Sequence, residues 1–364
     1  MMPVEFVNAA HWSEPGEGFA ADFWRGKLDP EYIRRYSRTL EDFGFDYTLV
    51  AYHSAGPDQY VRSAEILTYT ERLKPMVAVR PNTSFPTVAA QALSTLDQLG
   101  KGRTAVHIIS GSSNEEQQRQ GDYLEKDARY RRSAEFVQIL RDVWTKDEPF
   151  SHHGEFYDFD DFGPGYKTYS GEPLPVSLGG SSDYAYAAGG AQADIFALWG
   201  EPLEQTKQQI DRVYEEARKA GRTGRIRFWV TFRPIVAETD ELAQRKARKL
   251  VEQSKAHYGE VLKVNLPNVG SQRLRDIAQE GETHDGGVLW TPRAIAGAGG
   301  ASSFLVGSPE TIAEALVRYA ELGAEVISLP TLGNIGDAID TGRYIIPLVR
   351  KELARREARE AVAI

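Results

Sequence analysis

The polar residues of this chain that could do chemistry sit just past short apolar runs. In Pro173-Leu-Pro-Val-Ser-Leu-Gly-Gly-Ser-Ser-Asp183 the run Val176 to Leu178 stops at a glycine pair, and Ser181 and Ser182 follow where a helix begins. Glycines let a ligand come close to the backbone, and the free N–H groups of a helix N-terminus make a ready site for phosphate. The same turn also suits an ordinary strand-to-helix connection with Ser as N-cap, and it lacks the lysine of a P-loop. Comparable positions elsewhere hold His11 and Trp12, Tyr52 and His53, Ser110 and Gly111, Trp199, Arg233 and Thr331. Aromatic walls, a few histidines and a phosphate-type turn suit a planar phosphorylated cofactor such as a flavin. His107 lies inside an apolar run, where a histidine belongs to the core more often than to catalysis.

Composition removes several alternatives. With no cysteine there can be no disulfide, thiolate nucleophile, zinc–thiolate site or iron–sulfur cluster. His152 and His153 are adjacent, so a strand would point them to opposite faces, and the carboxylates from Asp158 to Asp161 follow no calcium spacing. No Gly-x-Ser-x-Gly marks a serine nucleophile. A formal net charge of −9 argues against nucleic acid as a partner, although a few arginines in a cleft can reverse the field locally. The first residues lack the basic segment and long apolar core of a signal peptide, and no apolar run could cross a bilayer. The expectation is a cytoplasmic protein that acts on a small molecule, with no membrane partner.

The elements that must position these residues alternate regularly. Strands are expected at Val4 to Asn8, Asp46 to Ala51, Pro75 to Val79, Arg103 to Ser110, Val176 to Leu178, Ala193 to Trp199, Arg225 to Val236 and Val326 to Leu329. Amphipathic helices separate them, such as the one opened by Asp29-Pro30 with Tyr32, Ile33, Tyr36, Leu40 and Phe43 on one face and closed by Gly44. Asp127 is placed to cap a long helix bearing Tyr130, Ala134, Val137, Leu140 and Trp144. Phe150 to Tyr169 has no stable period and reads as a hairpin or excursion. From Val261 to Ser303 the periodicity weakens, which marks a mobile insertion, with Gly297 to Ser302 as a flexible lid. Eight strands with intervening helices give a single α/β domain over residues 1–364, a (βα)8 TIM barrel with insertions; an open doubly wound sheet has the same strand count.

Several segments together resemble a known family. Thr87-Val-Ala-Ala, Thr95-Leu-Asp-Gln-Leu-Gly-Lys-Gly-Arg103, Arg129-Tyr-Arg-Arg-Ser-Ala-Glu-Phe136, Leu178-Gly-Gly-Ser-Ser182 and Trp199-Gly-Glu-Pro202 resemble the bacterial luciferase-like flavin monooxygenases, most closely the alkanesulfonate monooxygenase branch. Phe304-Leu-Val-Gly307 and Ile346-Pro-Leu-Val349 extend the likeness almost to the end. The resemblance implies a TIM barrel, a homodimer or homotetramer, and an NAD(P)H-dependent reductase supplying reduced FMN (FMNH2). It also implies O2 as co-substrate and a peroxyflavin that oxygenates a small organic substrate. By position it makes Gly180, Ser181 and Ser182 the FMN phosphate site with Arg129 and Tyr130 beside it. It puts His107 and Glu116 near the flavin ring, and Ala51 and Tyr52 beneath it.

His11 matches a histidine of the sulfonate branch, and His11 or His53 is expected to act as acid/base because imidazole titrates near the working pH. Arg233 is expected to bind an anionic substrate group or the peroxide, being too basic for a general base. The chain departs from the sulfonate branch at Gly56 (a cysteine there), at Thr231 and Arg233 (an arginine and a histidine), at Leu329 to Gly333 (a tyrosine and a histidine) and at Ala298 (an arginine, with Arg293 nearby here). The resemblance implies an organosulfur substrate such as an alkanesulfonate, against which these departures count. F420-dependent hydride transfer and non-catalytic flavin binding are the alternatives.

Overall fold

A computed structural model describes residues 3–14, 27–111, 113–258, 268–292, 303–331 and 333–363. Its centre is a closed barrel of eight parallel strands: β1 (Glu5–Ala9), β2 (Tyr47–Val50), β3 (Lys74–Val79), β4 (Ala105–Ile108), β7 (Val176–Gly179), β8 (Ile195–Trp199), β9 (Arg227–Thr231) and β14 (Ala324–Ser328). The order around the barrel is β1-β14-β9-β8-β7-β4-β3-β2, so β1 pairs with β14 and no sheet edge is left open. All eight expected strands are present, and closure rules out the open doubly wound sheet. Between β4 and β7 the chain makes the hairpin β5 (Phe150–His153) and β6 (Asp158–Phe162), as the aromatic stretch suggested.

Helices dock on the barrel because the outward strand faces are apolar. In α1 (Pro30–Asp42) the Asp29 carboxylate accepts the N–H groups of Glu31 and Tyr32, Pro30 opens the first turn, and Tyr32, Ile33, Tyr36 and Leu40 turn inward. Gly44 then takes φ +84°, a conformation that favours glycine. The inward strand residues form a separate cluster of Val7, Tyr47, Met76, Ala105, Ile195, Trp229 and Val326. At the N-terminal end of the barrel Glu5 accepts from Arg227 and from Lys74 Nζ at 3.1 Å, and the Lys74 ammonium lies over the Tyr47 ring. Those charges and the cluster above them fill the bottom of the barrel.

Two local expectations are corrected. The long seventh strand is two: Phe232 N–H still bonds the barrel at Ser328 O (2.9 Å), but Arg233 N–H turns to Ser303 O (3.1 Å). From there β10 (Arg233–Val236) leaves the barrel for a second sheet with β11 (Thr283–His284), β12 (Leu289–Trp290) and β13 (Phe304–Gly307), in the order β10-β13-β12-β11. Asp127 does not cap the long helix Lys126–Thr145; Glu125 is the N-cap and makes no side-chain cap bond, leaving Asp127 in the first turn. Within 261–303 the described residues 268–292 form a helix, Val269–Glu280, capped by Asn268, and the strands β11 and β12. The rest of that stretch, including Arg293, Ala298 and the glycine-rich 297–302, lies outside the described residues. Among the described residues no helix is long and apolar enough to cross a membrane, and no cluster of three or more metal-ligand side chains occurs.

Candidate active site

A cavity of about 490 Å³ opens at the C-terminal ends of the strands, a size typical of small-molecule sites. Eight of the residues given a site role from the sequence line it, Tyr52, His53, His107, Glu116, Tyr130, Gly180, Ser181 and Arg233, together with the strand-end residues Ser110, Gly111 and Trp199. Seven of them come from the connections that follow four different barrel strands and His107 from within β4, brought to one rim by barrel closure.

One side is a polar network around Glu116, which sits on the short helix Asn114–Gln118 capped by Ser113. Its carboxylate accepts Ser54 N–H and Ser54 Oγ, each at 2.8 Å, and pairs with Arg80 at 3.2 Å and Arg119 at 3.2 Å. Desolvation is the largest single influence and would raise its pKa. The Ser54 bonds and then Arg80 and His53 outweigh it and hold the carboxyl below the usual range. His53 Nε2 lies 3.4 Å from Glu116 Oε2, and its Nδ1 accepts Ala55 N–H at 3.1 Å. That second bond assigns the ring proton to Nε2. Burial pulls the imidazole pKa down against the opposing pull of Glu116, so the neutral ring is favoured. Arg80 also donates to Gln120 Oε1 (3.1 Å), which accepts Tyr52 O–H at 2.6 Å, and the Arg80 guanidinium stacks 4.6 Å from the Tyr52 ring centre. The Arg80 side chain is only 4% exposed, and its Nε is buried without a hydrogen-bond partner.

The opposite side is the Gly179–Ser182 turn. Gly180 has φ +143°, and a Cβ there would stand 2.3 Å from Tyr130 Oη and 2.7 Å from Ala185 Cβ, so only glycine fits. Ser182 is the N-cap of the helix Asp183–Gln192, accepting Ala185 N–H at 3.3 Å, and so belongs to the helix rather than the cavity lining. Ser181 faces the cavity with Lys126, whose pKa is drawn down by burial and then by Arg129 nearby. Tyr130 closes this end, donating to Gly179 O at 3.3 Å. The arrangement suits an anion: helix N–H groups, a hydroxyl and an ammonium whose charge an anion would stabilise.

Between the two sides the floor carries His107 and Trp229. His107 Nδ1 is 3.0 Å from Ser177 Oγ, its ring centre is 5.1 Å from that of Trp229, and burial lowers its pKa to about 4. Arg233 lines this cavity and also a second one of about 280 Å³, walled by Ile235, Val236, Leu250 and Phe304.

The remaining expected residues stand behind the lining. His11 is buried edge-on against Tyr36, and desolvation, with Arg62 adding to it, lowers its pKa to about 3. Arg129 donates to Asn114 Oδ1 and Leu124 O, both at 2.9 Å, and so fixes the connection that carries Glu116. The Ala51 carbonyl accepts from Arg62.

The model of the luciferase-like monooxygenase family matches residues 6–325. The chain belongs to that family. Solved structures of similar fold include DmoA from Hyphomicrobium sulfonivorans (20% identity, TM-score 0.76, covering 96% of this chain and 89% of that one). EDTA monooxygenase from Chelativorans sp. BNC1 is similar too (16%, TM-score 0.76, 96% and 94%), as is a riboflavin lyase bound to modified FMN and riboflavin (19%, TM-score 0.75, 96% and 92%). At these identities the likeness concerns the fold. On this family framework the structure adds lining residues not singled out from the sequence, among them Arg80, Lys126 and Trp229. Arg80 directly follows β3, so the strand-end rule that found His53 also reaches it.

Proposed function

We propose that the chain is the oxygenating component of a two-component monooxygenase. It takes FMNH2 from a separate reductase and uses O2 to oxygenate a small organic substrate, with an organosulfur compound such as an alkanesulfonate the favoured class. The observation that carries this reading is a single cavity with an anion site at one end and a neutral histidine beside an ionised glutamate at the other. The residues present fit a flavin nucleotide: Ser181, Lys126 and the helix N–H groups suit its phosphate, while Arg80 Nε is a buried donor in need of an acceptor.

When bound, reduced FMN supplies the electrons that activate O2. The protein's part is to exclude water, orient the guests and manage protons. His53 holds a proton at Nε2, shared toward Glu116, where it can stabilise negative charge developing on oxygen. Glu116, kept ionised, fixes the ring and its tautomer. Arg80 positions both by bridging Glu116, Gln120 and the Tyr52 ring. Arg233, shared by the two cavities, would bind an anionic group on the substrate.

The test supplies FMNH2 from a flavin reductase and follows O2 uptake and loss of sulfonates, sulfones and aldehydes by mass spectrometry. Substrate-dependent oxygenation is expected, and His53→Ala should reduce its rate by about 10²–10⁴-fold while leaving FMN affinity within about threefold. Hydride exchange with F420 and no O2 uptake would overturn the reading, as would FMN binding without oxygenation of any substrate class.

A further inference from the structure

The chamber of about 280 Å³ that shares Arg233 with the main cavity carries opposite charge at its two ends. One wall is β10, which runs from Arg233 to Val236, about 10 Å at the rise of a strand. At the far end Lys246 Nζ donates to the Val236 carbonyl at 3.0 Å. Asp337, Asp340 and Thr341, spaced to share one helix face after β14, also line the chamber. Burial and then Asp340 raise the pKa of Asp337 while Lys246 opposes them, which groups both carboxylates around the Lys246 end, away from Arg233. Among the described residues neither carboxylate has an ion-pair partner, and two carboxylates face one ammonium already bonded to a carbonyl. The rest of the lining, chiefly Pro234, Ile235, Leu250, Phe304 and Pro330, is apolar.

We propose that this chamber takes the body of the substrate and selects a zwitterion: an anionic group at Arg233, a short aliphatic spacer along the apolar wall, and an amine at Asp337 and Asp340. This inference rests on reading Arg233 as the residue that binds the substrate's anionic group, and it narrows the substrate class from organic anions to amino-functional ones. A plain alkyl tail would bring a methyl group against two carboxylates and displace their water without replacing its hydrogen bonds. A second anionic group would meet like charge, whereas an ammonium meets the opposite charge and three acceptors for its three N–H donors. Held at both ends, the guest would present the carbon beside its anionic group to the main cavity.

The experiment measures by calorimetry the binding of three hexanesulfonates to the whole protein, with and without FMN. The three differ only at the far end, which carries an amine, a methyl group or a carboxylate. A spacer of about six carbons with its end groups spans roughly 10 Å at ordinary bond lengths. The amine should bind about fivefold more tightly than the methyl compound and the carboxylate about fivefold more weakly, both differences shrinking in about 0.5 M salt. With Asp337→Asn and Asp340→Asn combined, the three affinities should converge to within about twofold. Equal binding of the amine and methyl compounds by the unsubstituted protein, or a preference for the carboxylate, overturns the proposal whether or not the variant folds. So does failure to bind any of the three, or an amine preference that survives the double substitution. An amine preference with no oxygenation of any of the three when FMNH2 and O2 are supplied leaves the chamber's selectivity standing and counts against the proposed function; oxygenation without that preference does the reverse.

Discussion

Acidifying the protein from pH 7.5 to 5 sets the buried His11 against its unfolded counterpart. In the fold its pKa lies at about 3, against 6.5 for an exposed histidine, chiefly because burial disfavours the cation and secondarily because Arg62 is nearby. Between those two values the unfolded chain binds a proton that the native state refuses, so stability falls as the pH drops from 6.5 toward 3. At pH 5 the unfolded state gains one and a half pH units of proton binding, about 2 kcal/mol from this residue alone. His107, lowered to about 4, adds about the same by the same argument. Urea unfolding at the two pH values for wild type and His11→Leu isolates the contribution: packing lost in the variant cancels when each protein is compared with itself. The variant should lose about 2 kcal/mol less than wild type on acidification. An identical loss in both proteins would show that native His11 takes up its proton freely, and the description of its burial would be wrong. A histidine that stays neutral to so low a pH is poorly matched to proton transfer at neutrality, which favours His53 for that role.

Two further perturbations probe the anion end of the cavity. Gly180→Ala brings a methyl group to 2.3 Å from Tyr130 Oη at a backbone angle that L-residues rarely adopt; it should lower stability by about 1–3 kcal/mol and abolish FMN binding, checked by thermal unfolding and flavin fluorescence. Lys126→Ala should weaken FMN about tenfold and leave riboflavin within about twofold, because only the phosphate meets the ammonium; equal losses in paired titrations would remove Lys126 from the phosphate site.

The barrel was legible because each of its strands is a short apolar run bounded by turn residues, buried on both faces once the helices dock. Arg225 to Val236 misled for the same reason. It is apolar enough throughout to read as one strand, and nothing in its pattern shows that Phe232 bonds Ser328 while Arg233 bonds Ser303. The helix Val269–Glu280 was hidden by its polar composition, with inward residues limited to Gly270, Ser271, Leu274, Ile277 and Ala278. At the site, position after a strand identified Tyr52, His53, Ser181 and Arg233. Lys126 escaped because it reaches the cavity from the first turn of the long helix Lys126–Thr145, and Trp229 because it looks like any other aromatic of a buried strand. Arg129 and His11 show the converse: correct neighbourhood, but side chains spent on bracing the loops behind the lining.

The charged closure of the barrel base by Glu5, Arg227 and Lys74 fixes the traffic through the enzyme. With the base filled among the described residues, guests of the cavity at the opposite end of the barrel would share its mouth, and whichever enters first would narrow the way for the next. A large nucleotide seated along the wall from Ser181 to Tyr52 would leave only the Arg233 side for a smaller molecule. On the proposed function, turnover would then be ordered by steric access, nucleotide before substrate and oxygenated product ahead of spent nucleotide.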